Sequence, residues 1–203
     1  MNQLLFNYQF FDDTIFKQIK LLPSFTILTI KNNNFYFNKT LQIVNYIDKS
    51  PLPWKISLSN ISELFIEIAS KYIPNEKSTI SFTGGFDGRT LVSIAKFYNK
   101  DFSTYSYGLK SSDDVLIPFQ NSKSLKIPYQ LLLLDELFIN SQYYKHSLSY
   151  TSNSNGGNGF IYSHASYSAE RLSEDFKYMV TGVCGSELFR AIHLTGAVTS
   201  KEL

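Results

Sequence analysis

The chain has 203 residues, 43% of them apolar and 18% charged, and a formal net charge of +2. This balance excludes a disordered chain, and with no basic run it argues against nucleic acid as a partner. The lone cysteine, Cys184, excludes an intrachain disulfide and a multi-cysteine zinc site and fits a reducing compartment.

His146, His164 and His193 lack metal-ligand spacing and are expected at the surface or partly buried. Residues 1–6 carry no positive n-region, and no apolar run reaches membrane-spanning length. The chain therefore reads as cytoplasmic, without a membrane partner.

Residues 1–50 read as the end of a β-rich unit. Phe25–Ile30 and Phe35–Phe37 are β-prone, and Lys31–Asn34 between them has turn chemistry, which predicts a hairpin. A hairpin is not stable alone, so it is expected to pack on the remainder or on a partner. Pro51 and Pro53 mark a linker, after which residues 51–203 form the second unit. Asn60 and Glu63 make a capping box. Ile61, Leu64, Phe65, Ile68, Ala69 and Tyr72 form one apolar stripe that stops at Pro74, predicting a helix whose aromatics are core.

Next comes a short β-prone run, Thr79–Phe82, then Thr83-Gly84-Gly85-Phe86-Asp87-Gly88, then Leu91, Val92, Ile94, Ala95 and Tyr98 at helical spacing. That is strand, glycine loop and helix. Adjacent glycines let backbone approach an anion, and the helix N-terminus adds its positive dipole end. The Thr83 hydroxyl can donate to the anion, and Asp87 is placed to hold a cation such as Mg²⁺ that accompanies a polyphosphate. The spacing is neither that of a Walker loop nor that of the dinucleotide fingerprint. A plain strand-to-helix turn is the competing reading.

Phe102–Tyr107 is a second strand ending at Gly108, and Asp113 and Asp114 open a helical segment that Pro118 is expected to kink. Tyr129–Leu134 is apolar on both faces, as a buried parallel strand is. A helix is predicted from there to about Tyr144, followed by a polar connection, Thr151–Gly159, that is either a surface loop or a lid. Tyr167–Phe176 reads as helix and Tyr178–Thr181 as a fourth strand running into Gly182-Val183-Cys184-Gly185-Ser186-Glu187-Leu188-Phe189-Arg190. Strands alternating with helices imply an α/β fold with a parallel sheet, whose ligands bind at the carboxyl ends of the strands. Both glycine loops are therefore expected to face one pocket.

The first loop resembles the Ser-Gly-Gly-x-Asp-Ser pyrophosphate loop of the ATP pyrophosphatases. Thr181-Gly182 with Glu187-Leu188-Phe189 resembles the Ser-Gly-x-Gly-x-Asp-Glu-Leu-Phe signature of the synthetase domain of glutamine-dependent asparagine synthetases and β-lactam synthetases. Thr14–Pro23 is similar to the stretch that closes the glutaminase domain of the same family. The resemblance implies a Rossmann-like parallel sheet with helices on both faces, preceded by a hairpin remnant of a glutaminase-type domain.

It also implies a ligase that uses ATP and Mg²⁺ to adenylate a small carboxylic acid, and then forms an amide with release of AMP and pyrophosphate. Carried over by residue, Thr83, Gly84, Gly85, Phe86, Asp87 and Gly88 would hold the pyrophosphate, with Asp87 on the metal. Gly108 would lie beside the adenine, and Thr181 and Gly182 would line the nucleotide side of the cleft.

Four departures follow from the same alignment of motifs. Asn2 stands where a glutaminase has its cysteine nucleophile, so ammonia would be free or come from a partner glutaminase chain. Val183 and Ser186 take the places of a catalytic glutamate and an aspartate, so no catalytic residue is assigned. Gly88 replaces a hydroxyl, a loss that Thr90 or Arg89 would offset, with an ordinary surface helix charge as the alternative for Arg89. Family members also continue beyond the position of Leu203, so the chain reads as a fragment or as a degenerate member, with a complementary synthetase chain as a candidate partner. The alternative function is a catalytically degenerate nucleotide-binding or scaffold module.

Overall fold

The computed structural model describes residues 12–14, 16–41, 52–154, 160–183 and 185. Asn2, Cys184, His193, Asn155–Gly159 and Ser186–Arg190 lie outside the described residues.

The hairpin forms as β1, Thr26–Lys31, and β2, Asn34–Lys39, in antiparallel register. Its turn is shorter than Lys31–Asn34. Only Asn32 and Asn33 turn, both with positive φ (51° and 59°), the geometry that matches strand twist and that asparagine tolerates. Leu28 and Ile30 lie opposite Phe37 and Phe35 on one face, and all four are exposed.

The second unit follows in the order α1 (Trp54–Tyr72), β3 (Ser78–Ser81), α2 (Phe86–Phe97), β4 (Phe102–Gly108), α3 (Asp113–Leu125), β5 (Tyr129–Leu133), α4 (Glu136–Ser141), α5 (Tyr143–Asn153), a 3₁₀ turn (Phe160–Tyr162), α6 (Ser163–Leu172) and β6 (Tyr178–Val180). Four strands make one parallel sheet in the order β5-β4-β3-β6, so the fold is α/β, as expected. The sheet separates two apolar clusters. On one face Ile80 and Phe82 pack with Ala69 and Ile73 of the α1 end and with Val92, Ile94 and Ala95 of α2. On the other, Tyr105 and Leu132 pack with Leu172 of α6, flanked by Tyr107 and Tyr167.

Several elements differ from their sequence signals for physical reasons. α1 starts at Trp54, six residues before the capping box, because Pro53 takes the N-cap position, where a missing N–H costs nothing. Ser59, one turn into the helix, bonds Glu63 instead. The apolar stripe is only partly core: Ala69 is buried and Phe65 packs beside it, but Ile61, Leu64 and Ile68 are exposed and Tyr72 is 82% exposed. α3 continues past the buried Pro118. Thr151–Asn153 is the last turn of α5 rather than loop, and α6 ends at Leu172, earlier than Phe176. Among the described residues no helix is long and apolar enough to cross a membrane.

His146 is neither at the surface nor half-buried. It sits on α5 at 1% exposure, with its ring edge on Tyr167 and Nδ1 3.1 Å from the Ser166 hydroxyl, so α5 and α6 are held together around it. Burial lowers its pKa below the ordinary 6.5, Glu170 opposing the shift and Lys145 adding to it. A lowered pKa in the folded state means that the unfolded chain takes up more protons as the solution is acidified. The stabilisation from neutral His146 is complete above about pH 6.5 and is lost below it. Stability measured by urea unfolding is expected to fall from about pH 7 to about pH 5, with a shallower slope in His146→Asn; equal slopes would remove His146 as the cause.

Candidate functional site

β3 is hydrogen-bonded to β4 on one side and β6 on the other. The chain leaves β3 through α2 toward β4 and β5, then returns across the sheet to β6, so the order reverses between β3 and β6. That reversal opens a crevice at the carboxyl ends of these two strands, where α/β sheets bind ligands. Both glycine loops emerge there.

The first loop is tightly fixed. Phe82 N–H donates to Tyr105 carbonyl at 2.8 Å, extending the sheet one residue beyond β3. Gly84 N–H donates to Asp114 Oδ1 at 3.1 Å, tying the loop to the start of α3, and Gly85 N–H donates to Thr83 Oγ1 at 3.3 Å. Both glycine N–H groups that the motif turns toward an anion thus have acceptors within the protein. Gly85 is the N-cap of α2 and, as a glycine, has no side chain with which to cap it.

Gly88 has no room for a side chain. A Cβ there would lie 2.5 Å from the Ser81 carbonyl oxygen, so the first turn of α2 sits directly on the end of β3. The hydroxyl that the resemblance expects at this position could not be accommodated without moving that backbone. Arg89 turns away from the replacement role. Its Nε donates to Gly85 carbonyl at 3.1 Å, its guanidinium carbon lies 4.4 Å from the centre of the Phe86 ring, and it lines neither cavity described below.

The second loop closes on Asp87. A Cβ at Gly182 would be 2.6 Å from Asp87 Cβ, and one at Gly185 would be 3.0 Å from Asp87 Cγ and Oδ1. Gly185 N–H donates to Gly182 carbonyl at 3.2 Å, which curls the loop around the carboxylate.

Two cavities meet at Asp87. The larger, about 490 Å³, is lined by Thr83, Gly85, Asp87, Gly88, Thr181 and Gly182 together with Ser81, Val183, Met179 and a set of aromatic residues. Six of the nine positions expected to bind a nucleotide therefore share one cavity. Gly84 and Phe86 lie outside it, as does Gly108, which ends β4 at φ +147° with its carbonyl accepting from Leu134 N–H. The smaller cavity, about 380 Å³, is mainly apolar and lies between Leu58, Ile61 and Phe65 of α1, Leu91 of α2 and Val183.

Missing from the sequence-based site are Tyr105, Tyr107, Tyr150, Tyr162, His164 and Ser168, all of which line the larger cavity. The alternation of Tyr105 and Tyr107 just before Gly108 is the one local signal for them. Burial pushes the Tyr105 phenol up to about 12, a hydrogen bond with Ser81 opposing the shift. Tyr107 is raised by burial and then by the Asp114 carboxylate, and His164 is lowered by burial. Near neutral pH both phenols keep their protons and His164 is uncharged. Asp87 is the one carboxylate, and no lysine or arginine is present, among the described lining residues. Among the described residues no cluster of three metal-ligating side chains is present.

No family model and no curated protein matches the chain.

The glycine geometry separates two neighbouring substitutions. Gly88→Ala is expected to cost about 1–3 kcal/mol, because the added methyl meets backbone. Gly85→Ala, whose Cβ would meet only Thr83 Oγ1 at an ordinary 3.5 Å, is expected to cost clearly less. Denaturant unfolding of the two variants decides this, and equal losses would show that α2 does not need its close seat on β3.

Proposed function

We propose that the chain is a nucleotide-binding domain of the asparagine-synthetase type, with a Rossmann-like sheet that takes Mg-ATP at the β3/β6 crevice. The observation that carries this is the closure of Gly182 and Gly185 on Asp87, with Thr181 lining the same cavity, which joins the two motifs at one switch point. On this reading residues 51–203 are the ATP-binding unit and residues 1–50 the remnant of a glutaminase-type domain.

The residues fit a magnesium-bound polyphosphate better than a bare one. A cavity whose described lining has a carboxylate and no cationic side chain repels a free polyanion, whereas a divalent ion held by Asp87 would offset both charges. Bound there, the ion would supply charge neutralisation for displacement at phosphorus. Thr83 and the N-terminal end of α2 would orient the phosphates, and Thr181 and Gly182 would form the opposite wall. In the ligase reaction a carboxylate oxygen attacks the α-phosphorus and pyrophosphate leaves; ammonia then attacks the acyl carbon and AMP leaves.

A second reading is a nucleotide-binding or scaffold module without catalysis. Val183 favours it, because this 78% exposed valine lies at the crevice where the family has a glutamate, and it cannot move a proton. A partner chain would then supply what is missing, whether a glutaminase or a complementary synthetase.

Calorimetric titration with Mg-ATP is expected to show binding that weakens about tenfold or more in Asp87→Ala, the loss of one charged ligand. Release of AMP and pyrophosphate on adding a carboxylic acid and ammonia would select the ligase. Binding without release would select the nucleotide-binding module, and absence of binding by the folded chain would refute the ligase and the nucleotide-binding module and leave only the scaffold.

A further inference from the structure

Four rings from four elements form one wall of the larger cavity. Tyr150 of α5 stacks with Tyr162 of the 3₁₀ turn at 5.4 Å between centres and 30° between planes. Tyr162 lies 6.1 Å from His164 of α6, and His164 lies 4.7 Å from Tyr107 of β4, both tilted by 41°. None of the four is fully buried, and Tyr162 is 39% exposed, so the wall is open to the cavity rather than sealed in the core. In the same wall Ser168 is 2% exposed, and its hydroxyl has no hydrogen-bond partner among the described residues. Such a group costs stability unless something fills its bonding capacity.

We infer that this wall is a stacking seat for a flat heteroaromatic ring, whose polar edge bonds Ser168. Tyrosine and neutral histidine present π-faces, which favour stacked or tilted contact with another ring. With no lysine or arginine among the described lining residues, a carboxylate beyond the one being activated finds no counter-charge there. An amino-acid zwitterion is thereby disfavoured as the second ligand. The inference rests on the proposed function only for the source of the ring: it is either the base of the nucleotide or a ring carried by the acceptor acid.

The test titrates the full chain with adenosine, with pyridine-3-carboxylate and with acetate, and compares Mg-ATP with Mg-tripolyphosphate. The expected result is that adenosine or pyridine-3-carboxylate binds, that Tyr162→Ala weakens it about tenfold, and that Tyr162→Phe does not. Adenosine as the binder, with Mg-ATP tighter than Mg-tripolyphosphate, identifies the nucleobase as the source. Pyridine-3-carboxylate as the binder, with acetate inert, identifies the acceptor. If neither ring binds, or if binding survives both Tyr162→Ala and His164→Ala, the inference is overturned. Mg-ATP and Mg-tripolyphosphate binding alike without ring binding would overturn it and leave the proposed function standing. Ring binding without any Mg-ATP binding would do the reverse.

Discussion

Asp87 can be enclosed by the second loop only because residues 182 and 185 have no side chains. The missing Cβ at 182 would fall 2.6 Å from Asp87 Cβ, closer than packed atoms tolerate, and that at 185 would fall 3.0 Å from the carboxylate, close enough to push it. The same economy operates behind Asp87, where Gly88 lets α2 rest on the Ser81 carbonyl oxygen. Three glycines from two distant parts of the chain thus fix one carboxylate between two strand ends. The strand order itself reverses at this point, so the carboxylate lies where a crevice must open. Asp114 extends the constraint sideways by holding Gly84 N–H, which couples the first loop to the start of α3.

What could be read from sequence divides along the range of the forces involved. The glycine loops, the four strands and most of the helices were legible because they are set by local backbone freedom and hydrophobic period. The start of α1 was not, since a proline can end one segment or begin the next, and only the fold shows that Pro53 begins a helix. Burial of His146 was illegible for a different reason. It depends on α5 meeting α6, and a histidine between Lys145 and Ser147 carries no local mark of a core position.

The candidate site shows the same split. Thr83, Gly85, Asp87, Gly88, Thr181 and Gly182 are marked by their motifs and line one cavity, because motifs at strand ends gather wherever a parallel sheet forms. The aromatic wall was unseen, since Tyr107, Tyr150 and Tyr162 are 43 and 12 residues apart in sequence and belong to three elements. Conversely, Phe86 and Gly108 lie in or beside the motifs yet miss the cavity, Phe86 having its ring under Arg89 instead.

The ionisation of the described lining residues bears on which half of the proposed reaction this crevice serves. Tyr105 and Tyr107 stay protonated and can donate but not accept a proton near neutral pH, and Val183 can do neither. Adenylation needs no proton acceptor, because the attacking carboxylate is already ionised, and transfer at phosphorus depends on positioning and charge stabilisation. Asp87 with a magnesium ion, Thr83 and the α2 N-terminus are the kinds of group that step requires. Amide formation differs, because the nitrogen nucleophile must shed protons as it attacks. His164 is the neutral base of the cavity, but it is packed against Tyr107 on the aromatic wall rather than placed in the second loop beside Val183. On the proposed reading the crevice suits adenylation better than amide formation, because the latter depends on a proton acceptor that position 183 does not provide.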